Sequence, residues 1–280
     1  MEILKIDMME PGLGQKLLES FSKTGFAVIT NHPIQQDLMS KVYNDWAWFF
    51  ESETKFVKIF DPQTQAGYFP FKSENAKGYS VKDLKEFYHL FYPYRDLPIG
   101  VNDTTRELAA RLQFLGYRLL DSLNEEIVHV TGQNLDLGQM AEGSNNTLFR
   151  VLHYPPLNRE EDYVLGSVRA AAHEDINLLT LLPAATAPGL EVKDLNGNWH
   201  RVECDPGSIV VNVGDMLQET TQGLLRSTTH RVVNPDSASA NVSRYSMPLF
   251  LHARPEVRLS EKYTAGEYLD QRLKEIGLKK

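Results

Sequence analysis

The amino-acid sequence predicts a β-rich core flanked by helices. After Asn145, short runs of β-forming residues alternate with turn residues about every ten positions, which is typical of a β-sandwich or barrel. Before that point, apolar residues recur at helical spacing instead. No internal repeat or low-complexity tract interrupts either half, so this change of hydrophobic period is the main guide to the fold.

The first half is predicted to contain three helices and one strand. Gly25 follows the first helical pattern as a stop signal. A long segment before the third helix contains so many Pro and Gly residues that we expect it to be mostly irregular. In chain order the segments are a helix over Gly12–Lys23, a strand over Phe26–Thr30, a helix over Ile34–Phe50, the irregular Glu53–Asp103, and a helix over Asp103–Thr131 that Asp103 can cap.

The second half is predicted to contain seven β runs and a C-terminal helix. Asn196-Gly197 is a strong hairpin signal, because both residues tolerate positive φ. The runs are Thr147–His153, Val168–Leu182, Leu190–Val192, Trp199–Glu203, Ser208–Val213, Thr229–Val233 and Arg244–Leu251, and the last helix carries Tyr268, Leu269, Leu273 and Ile276 at helical spacing. We expect one structural unit with a helical and irregular region over 1–140, a core over 145–255 and a helical tail over 256–280.

Composition limits the classes of partner. A chain of 280 residues with 42% apolar content can bury a full core. The net charge of -8 repels polyphosphate and anionic lipid, so we expect neither nucleic acid nor membrane as a partner. No run approaches the roughly 20 apolar residues of a membrane span, and we expect no secretion signal. Because Cys204 is the single cysteine, a disulfide within the chain is excluded and a cytoplasmic location is expected. The oligomeric state stays open.

The His-x-Asp pair at His173 and Asp175 is a candidate metal site. In an extended strand, residues two apart share a face, so both side chains can meet one cation while Glu174 points away. One such pair arises readily by chance, and a structural histidine is the alternative. His230, however, lies in a later β run that a barrel can bring alongside. Two imidazoles and one carboxylate leave open positions on a metal, which is typical of non-haem Fe(II) oxygenases.

Arg244 and Ser246 repeat the same spacing in the last strong β run. A guanidinium and a hydroxyl on one face form a clamp for a carboxylate, so a dicarboxylic cosubstrate would fit there. The alternative is that Arg244 pairs with an acid at a sheet edge.

Six segments, in this order, resemble the isopenicillin N synthase-like family of Fe(II)- and 2-oxoglutarate-dependent oxygenases. They span nearly the whole chain, and they are Gly25–Pro33, Arg150–Pro156, His173–Leu182, Val211–Gln218, Ser227–Pro235 and Arg244–Ser246. The resemblance implies a double-stranded β-helix core, which is a distorted, cupin-like jelly roll, wrapped by N-terminal helices. It also implies O2-dependent hydroxylation, desaturation or cyclisation of a small organic substrate, with succinate and CO2 as co-products.

Carried over by position, the resemblance implies that His173, Asp175 and His230 ligate Fe(II). It further implies that Arg244 and Ser246 hold the distal carboxylate of 2-oxoglutarate and that Tyr154 approaches this cosubstrate. The chain departs from the family at one point, since it reads Leu152-His153-Tyr154-Pro155 where many members read Asn-Tyr-Tyr-Pro.

Three rival functions stay open at this point. A few members of the same family oxidise their substrate without 2-oxoglutarate. A zinc hydrolase can use the same three ligands, although Arg244 and Ser246 would then share no task. A non-enzymatic β-barrel binding module would make the histidines structural.

Other residues receive weaker interpretations. Arg150 is a candidate second anion contact for cosubstrate or substrate, with a surface ion pair as the alternative. His153 is expected to be a hydrogen-bonded structural imidazole. Asn212, Gly214 and Asp215 are expected to form a turn with Gly214 at positive φ. Tyr68, Phe69 and Phe71 are candidates for the substrate pocket, because they lie in the irregular segment.

Overall fold

The computed structural model describes residues 1–74, 81–157, 167–236 and 241–275. The strands in these ranges are β1 (Leu4–Asp7), β2 (Phe26–Thr30), β3 (Gly67–Phe69), β4 (Glu86–Phe91), β5 (Leu148–Tyr154), β6 (Ala170–His173), β7 (Leu179–Pro183), β8 (Leu190–Lys193), β9 (Trp199–Arg201), β10 (Ile209–Val213), β11 (His230–Val232), β12 (Arg244–Ser246) and β13 (Leu249–Leu251). The helices are α1 (Leu13–Lys23), α2 (Gln36–Glu51), α3 (Thr104–Thr131), α4 (Leu137–Ala141), α5 (Asp215–Thr220) and α6 (Ala265–Glu275), with a 3-10 helix at Glu53–Lys58.

The strands form two sheets. The larger sheet has the order β1-β2-β10-β7-β13-β5-β4-β3, with β12 also paired to β5. The smaller sheet has the order β6-β11-β8-β9. Apart from the parallel pair β1–β2, neighbouring strands are antiparallel. The predicted β core with flanking helices is confirmed.

The larger sheet separates the main core from two smaller apolar clusters that lie between the sheets, because side chains alternate between the faces of a strand. In β10, Ile209, Val211 and Val213 pack in the main core with α1, α2 and α3. Val210 instead packs with Val192 of the smaller sheet. The residues of the larger sheet that do not pack against the helices therefore point toward the smaller sheet.

Two predicted β runs are in fact divided between elements. Val168–Leu182 is wrong as one strand, because β6 and β7 belong to different sheets and the chain turns between them. Arg244–Leu251 is likewise split into β12 and β13 at Met247-Pro248. Pro248 has no N–H to donate to a neighbouring strand. Its carbonyl still accepts a hydrogen bond from the Arg150 N–H.

The described part of Glu53–Asp103 is mostly irregular, as predicted, but it also contains two strands that the sequence pattern missed. β4 pairs with β5 over its full length, and β3 pairs with β4. Pro and Gly residues lie at the ends of these strands and do not interrupt them. Pro93, for example, follows the last residue of β4, Phe91, by two positions. The sequence pattern also missed β1, which pairs with β2.

The predicted helices agree more closely with the structure than the predicted strands do. α1, α2 and α3 lie within one or two residues of the expected bounds. Asp103 makes no side-chain cap on α3 and instead pairs with Arg106. α6 agrees with the predicted tail helix up to Glu275, and Ile276 lies outside the described residues. In the described ranges, no helix combines the length and apolar content needed to cross a membrane.

Packing of α3 against the sheet predicts a stability difference between two residues of that helix. Leu119 is fully buried in the main core, whereas Phe114 is 64% exposed. We expect Leu119→Ala to lower the free energy of unfolding by about 2–5 kcal/mol, because it leaves a cavity. Phe114→Ala, the control, should change it by about 0.5 kcal/mol or less. Urea unfolding measures both, and equal effects would contradict the packing described.

Candidate metal centre

Strand register brings two histidines together. β6 and β11 are antiparallel neighbours, and His173 is directly opposite His230. Residues opposite each other across an antiparallel pair point to the same face. Their imidazole centroids lie 4.5 Å apart.

Asp175 completes a group of three. Its Oδ1 lies 3.8 Å from His173 Nε2 and 3.7 Å from His230 Nε2. One ligand atom from each residue lies within 4.8 Å of the others. The strand argument for this proximity was wrong in one respect, because β6 ends at His173 and Asp175 lies in the turn toward β7.

Backbone carbonyls orient both imidazoles. His173 Nδ1 lies 2.7 Å from the Ala171 carbonyl, and His230 Nδ1 lies 3.1 Å from the Thr228 carbonyl. A carbonyl only accepts, so each Nδ1 carries the proton and each Nε2 keeps a free lone pair. Both lone pairs are on the side of Asp175 Oδ1, as metal ligation requires.

The larger sheet holds the other oxygen of Asp175. Thr180 Oγ1 and Asn212 Nδ2 donate to Asp175 Oδ2 at 2.6 and 2.9 Å. These two donors are direct cross-strand neighbours on β7 and β10. Asn177 Nδ2 in turn donates to Thr180 Oγ1, so that the hydroxyl proton is left for the carboxylate. Oδ1 therefore remains directed at the imidazoles.

Sequence reasoning missed these supporting residues. Asn212 was expected in a turn, but it lies in β10. Gly214 has φ −101°, so the expected positive φ is wrong. A Cβ at Gly214 would lie 2.2 Å from the Asn177 carbonyl oxygen, and this close approach is what requires glycine. Only contacts between distant segments reveal this, and no local signal could have found it.

The electrostatics favour the metal-binding protonation states. Burial lowers the pKa of His173 below its ordinary value, and the neighbouring His230 adds to the effect. Burial alone would raise the pKa of Asp175, but the two imidazoles and the bonds from Asn212 and Thr180 outweigh it and hold that pKa low. A neutral His173 and an ionised Asp175 are the forms that bind a metal.

A second cluster contains Arg244, Ser246 and Tyr154. Arg244 is directly opposite Tyr154 across β12 and β5, and its guanidinium carbon lies 5.1 Å from the centre of the Tyr154 ring. All three side chains are buried. Arg244 Nε donates to the Ala187 carbonyl at 2.9 Å, whereas the buried Nη1 has no partner among the described residues. The expected alternative, a pairing of Arg244 with an acid, is absent from the part of the chain described.

The remaining candidates lie in other networks. Arg150 Nε contacts His89 Nε2 at 2.7 Å, and its Nη1 lies 3.5 Å from Glu74. His153 is hydrogen-bonded to Glu86 and Ser243, as expected of a structural imidazole. Tyr68 is buried and donates to Glu86. Phe69 is buried in a stack with Phe60 and Phe87.

Comparisons with known proteins agree over most of the chain. Residues 145–253 match the model of the 2OG-Fe(II) oxygenase superfamily, and residues 6–108 match that of the non-haem dioxygenase in morphine synthesis N-terminal family. A proline hydroxylase of Petromyces alliaceus is 30% identical over 92% of this chain and 92% of its own.

Solved structures extend the likeness to three dimensions. A Shewanella oneidensis protein named as an oxygenase is 41% identical, with a TM-score of 0.85 over 99% of both chains. A full-length Neurospora crassa protein, solved in complex with alpha-KG, has a TM-score of 0.81 at 24% identity over 96% of this chain and 95% of its own. The expected jelly-roll core is thereby confirmed.

The support given to Asp175 predicts an effect on metal affinity. Thr180→Val removes the hydroxyl that donates to Oδ2, and we expect divalent metal to bind about 10–100-fold more weakly. Calorimetric titration with Mn(II) measures this. Thr30→Val is the control, because Thr30 Oγ1 bonds the Ile6 carbonyl and touches none of these groups. Equal affinities in the wild type and Thr180→Val would contradict the role assigned.

Metal binding should also depend on pH. Protons compete with metal for His173 and Asp175, so affinity should fall as the pH falls through their pKa values. Because both pKa values lie below the ordinary ones, these two groups should lose metal on the acid side of about pH 6.5, the usual histidine value. Mn(II) titrations from about pH 8 down to about pH 3, which lies below the ordinary pKa values of both groups, check this. Constant affinity across that range would refute it.

Proposed function

The chain belongs to the 2OG-Fe(II) oxygenase superfamily, and we propose from this membership that His173, Asp175 and His230 ligate its Fe(II). The protein is an Fe(II)- and 2-oxoglutarate-dependent dioxygenase that oxidises an organic substrate and uses O2. The observation that carries the ligand assignment is the convergence of two Nε2 atoms and one carboxylate oxygen within 4.8 Å.

The chemistry of these donors fits the metal. Two imidazoles and one carboxylate form the facial set of non-haem Fe(II) oxygenases, which leaves positions for a chelating cosubstrate and O2. Structural zinc sites commonly close four positions with Cys and His. Cys204, the single cysteine, bonds the Asp205 carbonyl and is not one of the three.

We assign the distal carboxylate of 2-oxoglutarate to Arg244 and Ser246, beside Tyr154. A buried guanidinium nitrogen without a partner is costly, and a carboxylate would satisfy it with a charge-assisted bond. This unpartnered Nη1 also favours a 2-oxoglutarate-dependent enzyme over the family members that use none. A zinc hydrolase would leave Arg244 without a task.

The protein positions and shields the reacting groups. When bound, iron and 2-oxoglutarate supply the oxidising chemistry, with succinate and CO2 as co-products. The Ala171 and Thr228 carbonyls hold the tautomers of the imidazoles, while Thr180 and Asn212 fix Asp175. The buried Tyr154 and Arg244 exclude water from the cosubstrate end.

The substrate class, the cellular location and the division of the chain are proposals as well. We propose a small-molecule substrate, a cytoplasmic location and the division into 1–140, 145–255 and 256–280. A single free cysteine supports the location. β2 pairs with β10 and β4 pairs with β5, and these pairings of the first region with the core support a single structural unit.

Removal of a ligand should abolish metal-dependent chemistry. We expect His230→Ala and Asp175→Ala to form no visible charge-transfer band when 2-oxoglutarate is added to the Fe(II) protein without oxygen. Succinate formation should fall to background, while the circular dichroism spectrum stays that of the folded wild type.

His200→Ala is the matched control, because His200 pairs with Asp194 outside the site. It should keep both the band and the turnover. A normal band in both His230→Ala and Asp175→Ala would sink the ligand assignment.

A further inference from the structure

A second buried arginine lies in the same core as Arg244. Arg169 immediately precedes β6 and is 1% exposed, compared with 2% for Arg244. Its Nη2 donates to the Val242 carbonyl at 2.9 Å, but its buried Nε has no partner among the described residues. No sequence motif marks this arginine as functional.

Strand pairing places Arg169 beside the proposed cosubstrate residues. Its neighbour Ala170 is opposite Val232 in the smaller sheet. Ala170 and Val232 pack in one cluster with Tyr154. Val242, whose carbonyl Arg169 contacts, lies two residues before Arg244. Burial, and then the charge of the nearby Arg244, lowers the pKa of Arg169 to about 10.

The acids nearby are already neutralised. Asp83 accepts from the Ala171 N–H and pairs with Lys85 at 2.8 Å. Glu74 pairs with Lys85 at 2.9 Å and lies 3.5 Å from Arg150. These two acids and two bases balance in charge. In the described ranges, neither Arg169 nor Arg244 forms an ion pair with a carboxylate, so two buried positive charges lack compensation.

We propose that Arg169 is a second binding residue for the distal carboxylate of 2-oxoglutarate, acting beside Arg244. The inference rests on the proposed function. A carboxylate has two oxygens and about four acceptor positions, so it can receive bonds from two guanidinium groups. A ligand anion would thus offset the two charges for which the described part of the chain provides no carboxylate partner.

This role differs from a structural one in its effect on stability. An arginine that stabilises the fold through its own contacts should lower the melting temperature when it is replaced. An arginine kept for a ligand adds like-charge repulsion to the ligand-free protein. We therefore expect Arg169→Met to melt no lower than the wild type without ligand.

Binding of two 2-oxo acids to the Mn(II)-loaded protein tests the proposal without turnover. The ligands are 2-oxoglutarate and 2-oxopentanoate, which has a methyl group in place of the distal carboxylate. We expect Arg169→Met to weaken 2-oxoglutarate binding about 30-fold or more, as loss of one partner of a buried charge contact does. Binding of 2-oxopentanoate should change by less than about threefold, because that ligand makes no such contact.

Arg169→Lys keeps the charge but loses the planar fork, and we expect an intermediate loss. It also provides the measurement if Arg169→Met fails to fold. Arg106→Met is the structural control, because Arg106 contacts the Tyr94 and Arg95 carbonyls away from this core. It should leave the affinity for 2-oxoglutarate unchanged.

The outcomes separate this inference from the proposed function. If Arg244→Met weakens 2-oxoglutarate binding while Arg169→Met and Arg169→Lys do not, the role of Arg169 is refuted and the proposed function stands. An equal loss for both ligands in Arg169→Met also refutes it, since a general structural effect would be responsible. If neither Arg244→Met nor Arg169→Met affects 2-oxoglutarate binding, the cosubstrate assignment itself fails.

Discussion

Asp175 carries a carboxylate where the two sheets meet, and the arrangement of the site depends on how that buried charge is satisfied. A carboxylate that is 6% exposed needs hydrogen bonds or cations to offset its lost hydration. The larger sheet supplies two donors to Oδ2, and the smaller sheet places two imidazoles near Oδ1. The carboxylate thus joins the sheets while one of its oxygens is kept for a metal.

Alternation along the strands assigns the two faces of the larger sheet to different tasks. In β7, Leu179 and Leu181 pack in the main core, whereas Thr180 bonds Asp175. In β12, Tyr245 packs in the main core, whereas its sequence neighbours Arg244 and Ser246 lie on the other face. Burial against α1, α2 and α3 can therefore stabilise the sheet without involving the polar face.

The sequence was informative where chemistry follows from local spacing, and uninformative where it depends on contacts between distant segments. The His-x-Asp and Arg-x-Ser pairs are visible at a separation of two, so the candidate ligands and the clamp could be predicted. The boundary between β6 and β7 could not, because one continuous β-forming run conceals a turn that only the two-sheet packing requires. Asn212 and Arg169 were missed for the same reason. Their partners, Asp175 and the Val242 carbonyl, lie 37 and 73 positions away.

Three functional pairs are direct neighbours across strands: His173 with His230, Thr180 with Asn212, and Tyr154 with Arg244. Insertion or deletion of a single residue within any of these strands would turn every later side chain to the opposite face and separate its pair. Loops outside the strands face no such restriction. Insertions and deletions should therefore accumulate during divergence in the loops that connect the strands. Within the strands, residues can be replaced but not added or removed.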